Sequence, residues 1–198
     1  MGKRAFDLLL SALGLLVLVP LLLLVALAIK LDSPGPVFFR QQRVGLHGRL
    51  FRIHKFRTMR VDAEAVGPQV TVGIDPRITR VGRWLRGRRV DEFPQLIDVL
   101  LGDMSVVGPR PEVPRFVEHY PEAMRARVLS VRPGITDPAA LAFKDEAALL
   151  AAAADPEREY VQVILPRKLA RQAEYAEHAT LGSDLRVVAR TLRVLLAR

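Results

Sequence analysis

The sequence predicts a mixed α+β protein, mainly helical, with an N-terminal re-entrant membrane helix, a short β-hairpin and several amphipathic interfacial helices. Three observations lead there. Leu8 to Ile29 is a run of twenty-two residues without a charge, about 33 Å long as a helix and so long enough to cross a hydrocarbon core. Two short segments rich in Val and Phe then flank a Gly-containing turn between residues 37 and 56. Most of the chain beyond residue 77 repeats apolar residues at helical spacing, punctuated by Pro and Gly.

Composition narrows the chemistry. The 198 residues contain no cysteine, which excludes disulfide scaffolds, thiolate metal sites and cysteine nucleophiles. Half the chain is hydrophobic, yet the formal charge is +9. The two properties occupy different segments: residues 30–90 hold fourteen Lys or Arg against four acids, whereas residues 91–198 are close to balanced. The division expected is therefore a membrane helix over 1–31 and a membrane-associated domain over 32–198, which the resemblance described below implies is cytoplasmic and catalytic. Twenty-five of the thirty bases are Arg, the side chain suited to forked phosphate recognition.

Three readings compete for the apolar run. A signal peptide would use Lys3 and Arg4 as its basic start and Ala26-Leu27-Ala28 as its cleavage site, but the run is long for that role. A single span satisfies hydropathy. A re-entrant helix broken at Pro20 also accounts for basic residues on both flanks, Lys3 and Arg4 before it and Lys30, Arg40 and Arg43 after it.

Ser33-Pro34-Gly35-Pro36 ends the helix. Val37 to Val44 and Leu50 to Phe56 read as strands joined by Gly45-Leu46-His47-Gly48. Arg77, Arg80, Arg83 and Arg86 recur every three residues, opposite Ile78, Val81, Trp84 and Leu85. That stripe is either a solvated face or a surface resting on anionic headgroups or phosphate. Leu96 to Leu101 is a short helix stopped by Gly102, and Pro109, Pro111 and Pro114 impose an extended loop. Helices are expected over Glu112–Leu129, Ala139–Ala154 and Tyr160–Ala179, with Ser183 capping a last one.

Three local features could carry chemistry. Asp91 and Glu92 are adjacent carboxylates where a helix should begin. Read plainly, Asp91 caps, Glu92 favours the positive helix end and Pro94 fills the first turn. Read chemically, an ionised carboxylate among Arg residues can hold a divalent ion or attack phosphorus, with its neighbour placed to move a proton. Arg110 lies between two prolines, which pre-aim its guanidinium toward an anion or leave it merely solvated. Lys55 and Arg57 place two bases at the end of a strand. The four histidines have no metal-ligand spacing, and neither a Gly-rich phosphate loop nor a nucleophile elbow occurs.

Taken together, Lys55-Phe56-Arg57-Thr58-Met59, Asp91-Glu92-Phe93-Pro94-Gln95-Leu96, Gly102-Asp103-Met104-Ser105, Val107-Gly108-Pro109-Arg110-Pro111 and Arg132-Pro133-Gly134-Ile135-Thr136 make the chain resemble the bacterial sugar transferases known as monotopic phosphoglycosyl transferases. The resemblance runs from Arg4-Ala5-Phe6-Asp7 to the C-terminal helix. It implies transfer of a sugar-1-phosphate from a UDP-sugar to a polyprenol phosphate such as undecaprenyl phosphate, with release of UMP, at the cytoplasmic face of a bacterial inner membrane. It implies Asp91 as a nucleophile forming a covalent phosphosugar intermediate, Glu92 as its partner carboxylate, and Mg2+ bound at Asp91. Lys55, Arg57, Arg86 and Arg110 are implied to bind substrate or phosphate, and Pro20 to break the membrane helix. Partners would be the UDP-sugar, polyprenol phosphate and membrane lipids, not nucleic acid; the oligomeric state stays open, a homodimer included.

Two departures stand out. Asp137-Pro138-Ala139-Ala140 follows the Arg-Pro-Gly-Ile-Thr motif where many relatives have glycine and an aromatic residue, and Val19 rather than serine precedes Pro20. The chain also lacks the long multi-span N-terminal extension of larger relatives. Outside the resemblance, two other readings compete. An anchored lipid-binding protein would use Asp91-Glu92 only as a cap, and the basic block alone permits nucleic-acid binding.

Overall fold

A computed structural model describes residues 2–63, 75–139 and 146–196. The architecture is mostly helical with short strands. Helix α1 (Gly2–Asp32) is the one helix among the described residues long and apolar enough to cross a membrane. Its helical structure continues through Pro20 without a break. Proline removes one backbone donor, and the leucine-rich turns on either side sustain the helix around that loss. Asp7, Ser11, Val25 and Ile29 are buried, whereas Leu9, Leu13, Leu16, Val17, Leu23, Leu24 and Leu31 are exposed.

Both ends of α1 are fastened to the rest of the molecule. Lys3 Nζ donates to the Asp184 carboxylate (2.5 Å) and to the Val107 carbonyl (3.0 Å). Arg4 donates to the Val99 carbonyl at 2.8 Å, and the Asp7 carboxylate accepts from Ser105 Oγ and from the Val106 N–H. At the other end the Asp32 carboxylate accepts from the Val81 N–H at 3.0 Å.

The expected hairpin forms in two short ladders. Strand β1 (Phe38–Phe39) pairs antiparallel with β4 (Lys55–Phe56), and β2 (Gln42–Val44) with β3 (Leu50–Arg52). The turn between β2 and β3 is a 3-10 turn, Leu46–Gly48, in which His47 and Gly48 both have positive φ. Helix α2 (Arg80–Arg88) is capped by Thr79, whose hydroxyl accepts from the Gly82 N–H. It packs Leu85 against Val25 and Ile29 of α1, Phe56 and Val90. Helix α3 (Gln95–Leu101) stops at Gly102 as expected, and the φ of 93° there makes the glycine an αL cap.

Strand β5 (Ser105–Val107) pairs in parallel with β6 (Gly134–Thr136). Gly108 and Gly134 cross here so closely that a Cβ on Gly134 would lie 2.0 Å from the Gly108 nitrogen. Between these strands, the helix expected over 112–129 is two: α4 (Pro114–Val117) and α5 (Glu122–Val128). Pro121 lacks the N–H that would continue α4, and it initiates α5 instead.

Helix α6 (Glu146–Ala152) covers part of the expected 139–154 helix; residues 140–145 lie outside the described residues. Helix α7 (Pro156–Glu159), a π-helical turn (Tyr160–Ile164) and α8 (Leu165–His178) form one continuous rod. Helix α9 (Leu181–Leu196) is capped by Thr180 rather than Ser183. Thr180 Oγ1 accepts from the Ser183 N–H and Ser183 Oγ accepts from the Thr180 N–H, a reciprocal capping box with Ser183 at its third position. One buried cluster joins α4 and α5 to the π turn and α8, and a second joins β3 to α3 and β5.

Candidate active site

Arg89 closes α2 in the left-handed region (φ 55°) and turns the chain into a 3-10 turn, Val90–Glu92. Left-handed geometry is unfavourable for a residue with a Cβ, and here it folds Asp91 and Glu92 back toward the helix that precedes them. Both carboxylates are buried. The capping reading of Asp91 does not hold: α3 begins at Gln95 after Pro94, without a side-chain cap.

Lys55, at the head of β4, sets its ammonium 2.9 Å from Asp91 Oδ2 and 3.4 Å from Glu92 Oε1. Arg110 presents a fork to Glu92, with Nη2 2.5 Å from Oε1 and Nη1 3.4 Å from Oε2. Burial alone would raise the Glu92 carboxyl, but the charges of Arg110 and Lys55 outweigh it and hold Glu92 well below the usual carboxylate range. Glu92 in turn raises Arg110 above its ordinary value. Glu92 is thus an ionised organiser of two cations.

Arg86 lies on the last turn of α2. Its Nε donates to Thr58 Oγ1 at 2.9 Å, and although burial lowers its affinity for protons, the charge of Asp91 acts in the opposite direction. Thr58 belongs to the segment that carries Lys55, and a Cβ on Gly82 would fall 2.0 Å from the Thr58 carbonyl oxygen. Gly82 therefore permits the close crossing that sets Arg86 beside the carboxylates.

Asp91, Glu92, Lys55, Arg86 and Arg110, chosen from sequence, thus come together from four separate segments. Arg57 and Pro20 do not join them. Arg57 is buried, and its guanidinium donates to the Pro36 carbonyl (2.6 Å), Ser33 Oγ (2.7 Å) and the Ser33 carbonyl (2.9 Å), pinning the chain as it leaves α1. Pro20 lies near the middle of α1. Sequence reading missed Thr58 as the partner of Arg86, although Thr58 stands within a motif it singled out.

Comparison with known proteins supplies the family. The sequence profile of the bacterial sugar transferases matches residues 1–198. The chain belongs to that family. It is 52% identical over 140 residues to an undecaprenyl-phosphate glucose phosphotransferase of Komagataeibacter xylinus, covering 68% of this chain and 26% of that protein. It is 59% identical over 109 residues to the exopolysaccharide production protein PSS of Rhizobium leguminosarum, covering 54% of each. A UDP-glucose:undecaprenyl-phosphate glucose-1-phosphate transferase of Caulobacter vibrioides is 40% identical over 198 residues, covering 98% of this chain and 69% of that one. The chain spans about a quarter and about half the length of the first two.

Proposed function

We propose that this sugar transferase family member is a membrane-bound phosphoglycosyl transferase, moving a sugar-1-phosphate from a UDP-sugar to undecaprenyl or a related polyprenol phosphate and releasing UMP. The observation that carries the reading is the buried Asp91–Glu92 pair faced by Lys55, Arg86 and Arg110, in a chain whose relatives bear the names of such transferases.

Asp91 attacks the phosphorus that bears the sugar; the bond from that phosphorus to UMP breaks and UMP departs with the electron pair. A phosphate oxygen of the polyprenol phosphate then attacks the same phosphorus, and the bond to Asp91 breaks, restoring the carboxylate. A carboxylate and a phosphate oxygen attack without giving up a proton, so neither displacement requires a general base. Lys55, Arg86 and Arg110 offset the negative charge that gathers as two phosphates approach a carboxylate. Glu92 orients Lys55 and Arg110 rather than moving a proton.

The donor set suits Mg2+ in one manner only. Both Glu92 oxygens face Arg110, and the described residues form no cluster of three His, Cys, Asp or Glu side chains. Among the described residues Asp91 would be the carboxylate that holds it, with oxygens of the substrate diphosphate and water as the other ligands. When bound it would neutralise phosphate charge.

The fastening of both ends of α1 to one folded body favours a re-entrant course, one that bends within the continuous helix rather than breaking it at Pro20, with both ends and the site on the cytoplasmic face of an inner membrane. The test is nucleotide release from a panel of UDP-sugars, UDP-glucose and UDP-N-acetylgalactosamine included, with undecaprenyl phosphate and Mg2+. Multiple-turnover UMP release that requires all components, and is lost in Asp91→Asn, is expected. Release of UDP, or full turnover by Asp91→Asn, overturns the mechanism.

A further inference from the structure

Arg110 must hold its fork on Glu92 while standing in a loop between two prolines, and the structure contains a buried frame behind that loop. The Arg110 N–H donates to Asp137 Oδ2 at 3.2 Å. Gln172 Nε2 donates to the same oxygen at 2.6 Å, and the Ala139 N–H donates to Asp137 Oδ1 at 2.7 Å. Asp137 and Gln172 are 3% and 2% exposed, so this carboxylate is buried among the protein donors that hold it.

The frame continues on the other side of Arg110. Arg43 Nη1 donates to the Pro111 carbonyl at 2.9 Å, and the Val44 N–H donates to the Glu112 carbonyl at 3.0 Å. The Glu112 carboxylate accepts from Tyr160 Oη at 2.5 Å and lies 3.9 Å from Lys168 Nζ. Lys168 and Gln172 are one turn apart on α8, so a single buried helical face meets the two carboxylates that flank Arg110, Glu112 through one residue and Asp137 through the other. Tyr160 opens the π turn that leads into α8, and such turns displace a helix face by a fraction of a turn.

We infer that Asp137 and Gln172 are positioning residues that act through Arg110: they fix its main chain from behind, so that its guanidinium faces the phosphate-binding side of the cluster. Neither residue touches a reacting atom. The inference rests on the transferase reading for its kinetic consequence, but the frame itself has a signature independent of activity.

Gln172→Leu, which preserves volume, and Asp137→Asn, which leaves one acceptor oxygen of two, would be prepared in the full chain and in an Arg110→Ala background. Each is expected to lower kcat/KM for the sugar nucleotide about tenfold when Arg110 is present, and less than twofold when it is absent. A residue that merely supports the fold would lower both alike, and equal losses overturn the inference. Hydrogen exchange over residues 108–113 is measured on the same proteins. Faster exchange in Gln172→Leu is expected; unchanged exchange overturns the frame whatever the kinetics. If the wild-type chain releases no UMP from any sugar nucleotide, the transferase reading falls, and the frame stands or falls on the exchange result alone.

Discussion

Lys55 and Arg110 are each engaged with a carboxylate of the site. A phosphate therefore gains their charge only by exchanging an internal ion pair for an external one. Its affinity reflects a difference between two interactions, not their sum. Glu92→Gln should accordingly bind the sugar nucleotide several-fold more tightly, as a lower KM, while kcat falls because the two cations lose their orientation. An unchanged KM would deny Glu92 that role. Asp75 offers a cleaner electrostatic case. Its carboxylate accepts from Arg77 Nε (3.0 Å) and Nη2 (2.7 Å), and these bonds hold it below its ordinary value against the opposing effect of burial. A lowered carboxyl contributes stability that is complete above the unfolded value, about 4, and is lost as pH falls through the folded one. The wild type should lose thermal stability below about pH 4 more steeply than Asp75→Asn; parallel pH curves would remove the pair from the account of acid unfolding.

At the scale of elements, the parallel β5–β6 crossing leaves little room for change. Gly134→Ala would push a methyl into the Gly108 backbone, which has no flexible end to swing away. A cost of about 3 kcal/mol or more is expected, read as loss of the cooperative thermal transition or a large fall in its midpoint. A fall of only a few degrees would show that the two strands can part. The same crossing explains why two motifs distant in sequence each carry a glycine. Elements governed by local signals were readable from the chain: the alternation in β2 and β3, the Gly102 stop of α3, and the basic spacing of α2. Those decided by distant partners were not. Nothing near Asp7 foretells its bonds to Ser105 and Val106, and nothing near Lys3 foretells Asp184. The resemblance implies Arg57 as a phosphate ligand, yet a short charged motif cannot reveal that one of its two bases faces Ser33. The π turn likewise has no periodic signature, since it alters helical phase over one turn only.

For the whole molecule, the arrangement of α1 decides how the chain meets a bilayer. Because the sequence has no cysteine, single thiols can be introduced at will. Gly2→Cys and Lys30→Cys, both at exposed positions, should react with a membrane-impermeant maleimide from the cytoplasmic side in inverted vesicles, and neither in intact spheroplasts. Labelling of the two from opposite sides would make α1 an ordinary span. The basic excess of residues 30–90 is also divided by the fold: Lys55 and Arg86 turn inward to the carboxylates, Arg57 secures the exit from α1, and Arg88 lies against exposed Trp84 at 4.8 Å.

Val25 and Ile29 of α1 share a buried cluster with Leu85 and Val90, the residue before Asp91. On the proposed membrane-bound reading, a bilayer would in that sense be a ligand of the native state: it would hold α1 in the conformation on which the carboxylate turn rests, and folding and insertion would become one linked equilibrium. Lipid or detergent concentration then enters the stability of the site by mass action, as a cofactor's concentration would. A charge placed at Leu16 or Val17, exposed positions remote from Asp91 in sequence, would weaken the site by weakening its solvent.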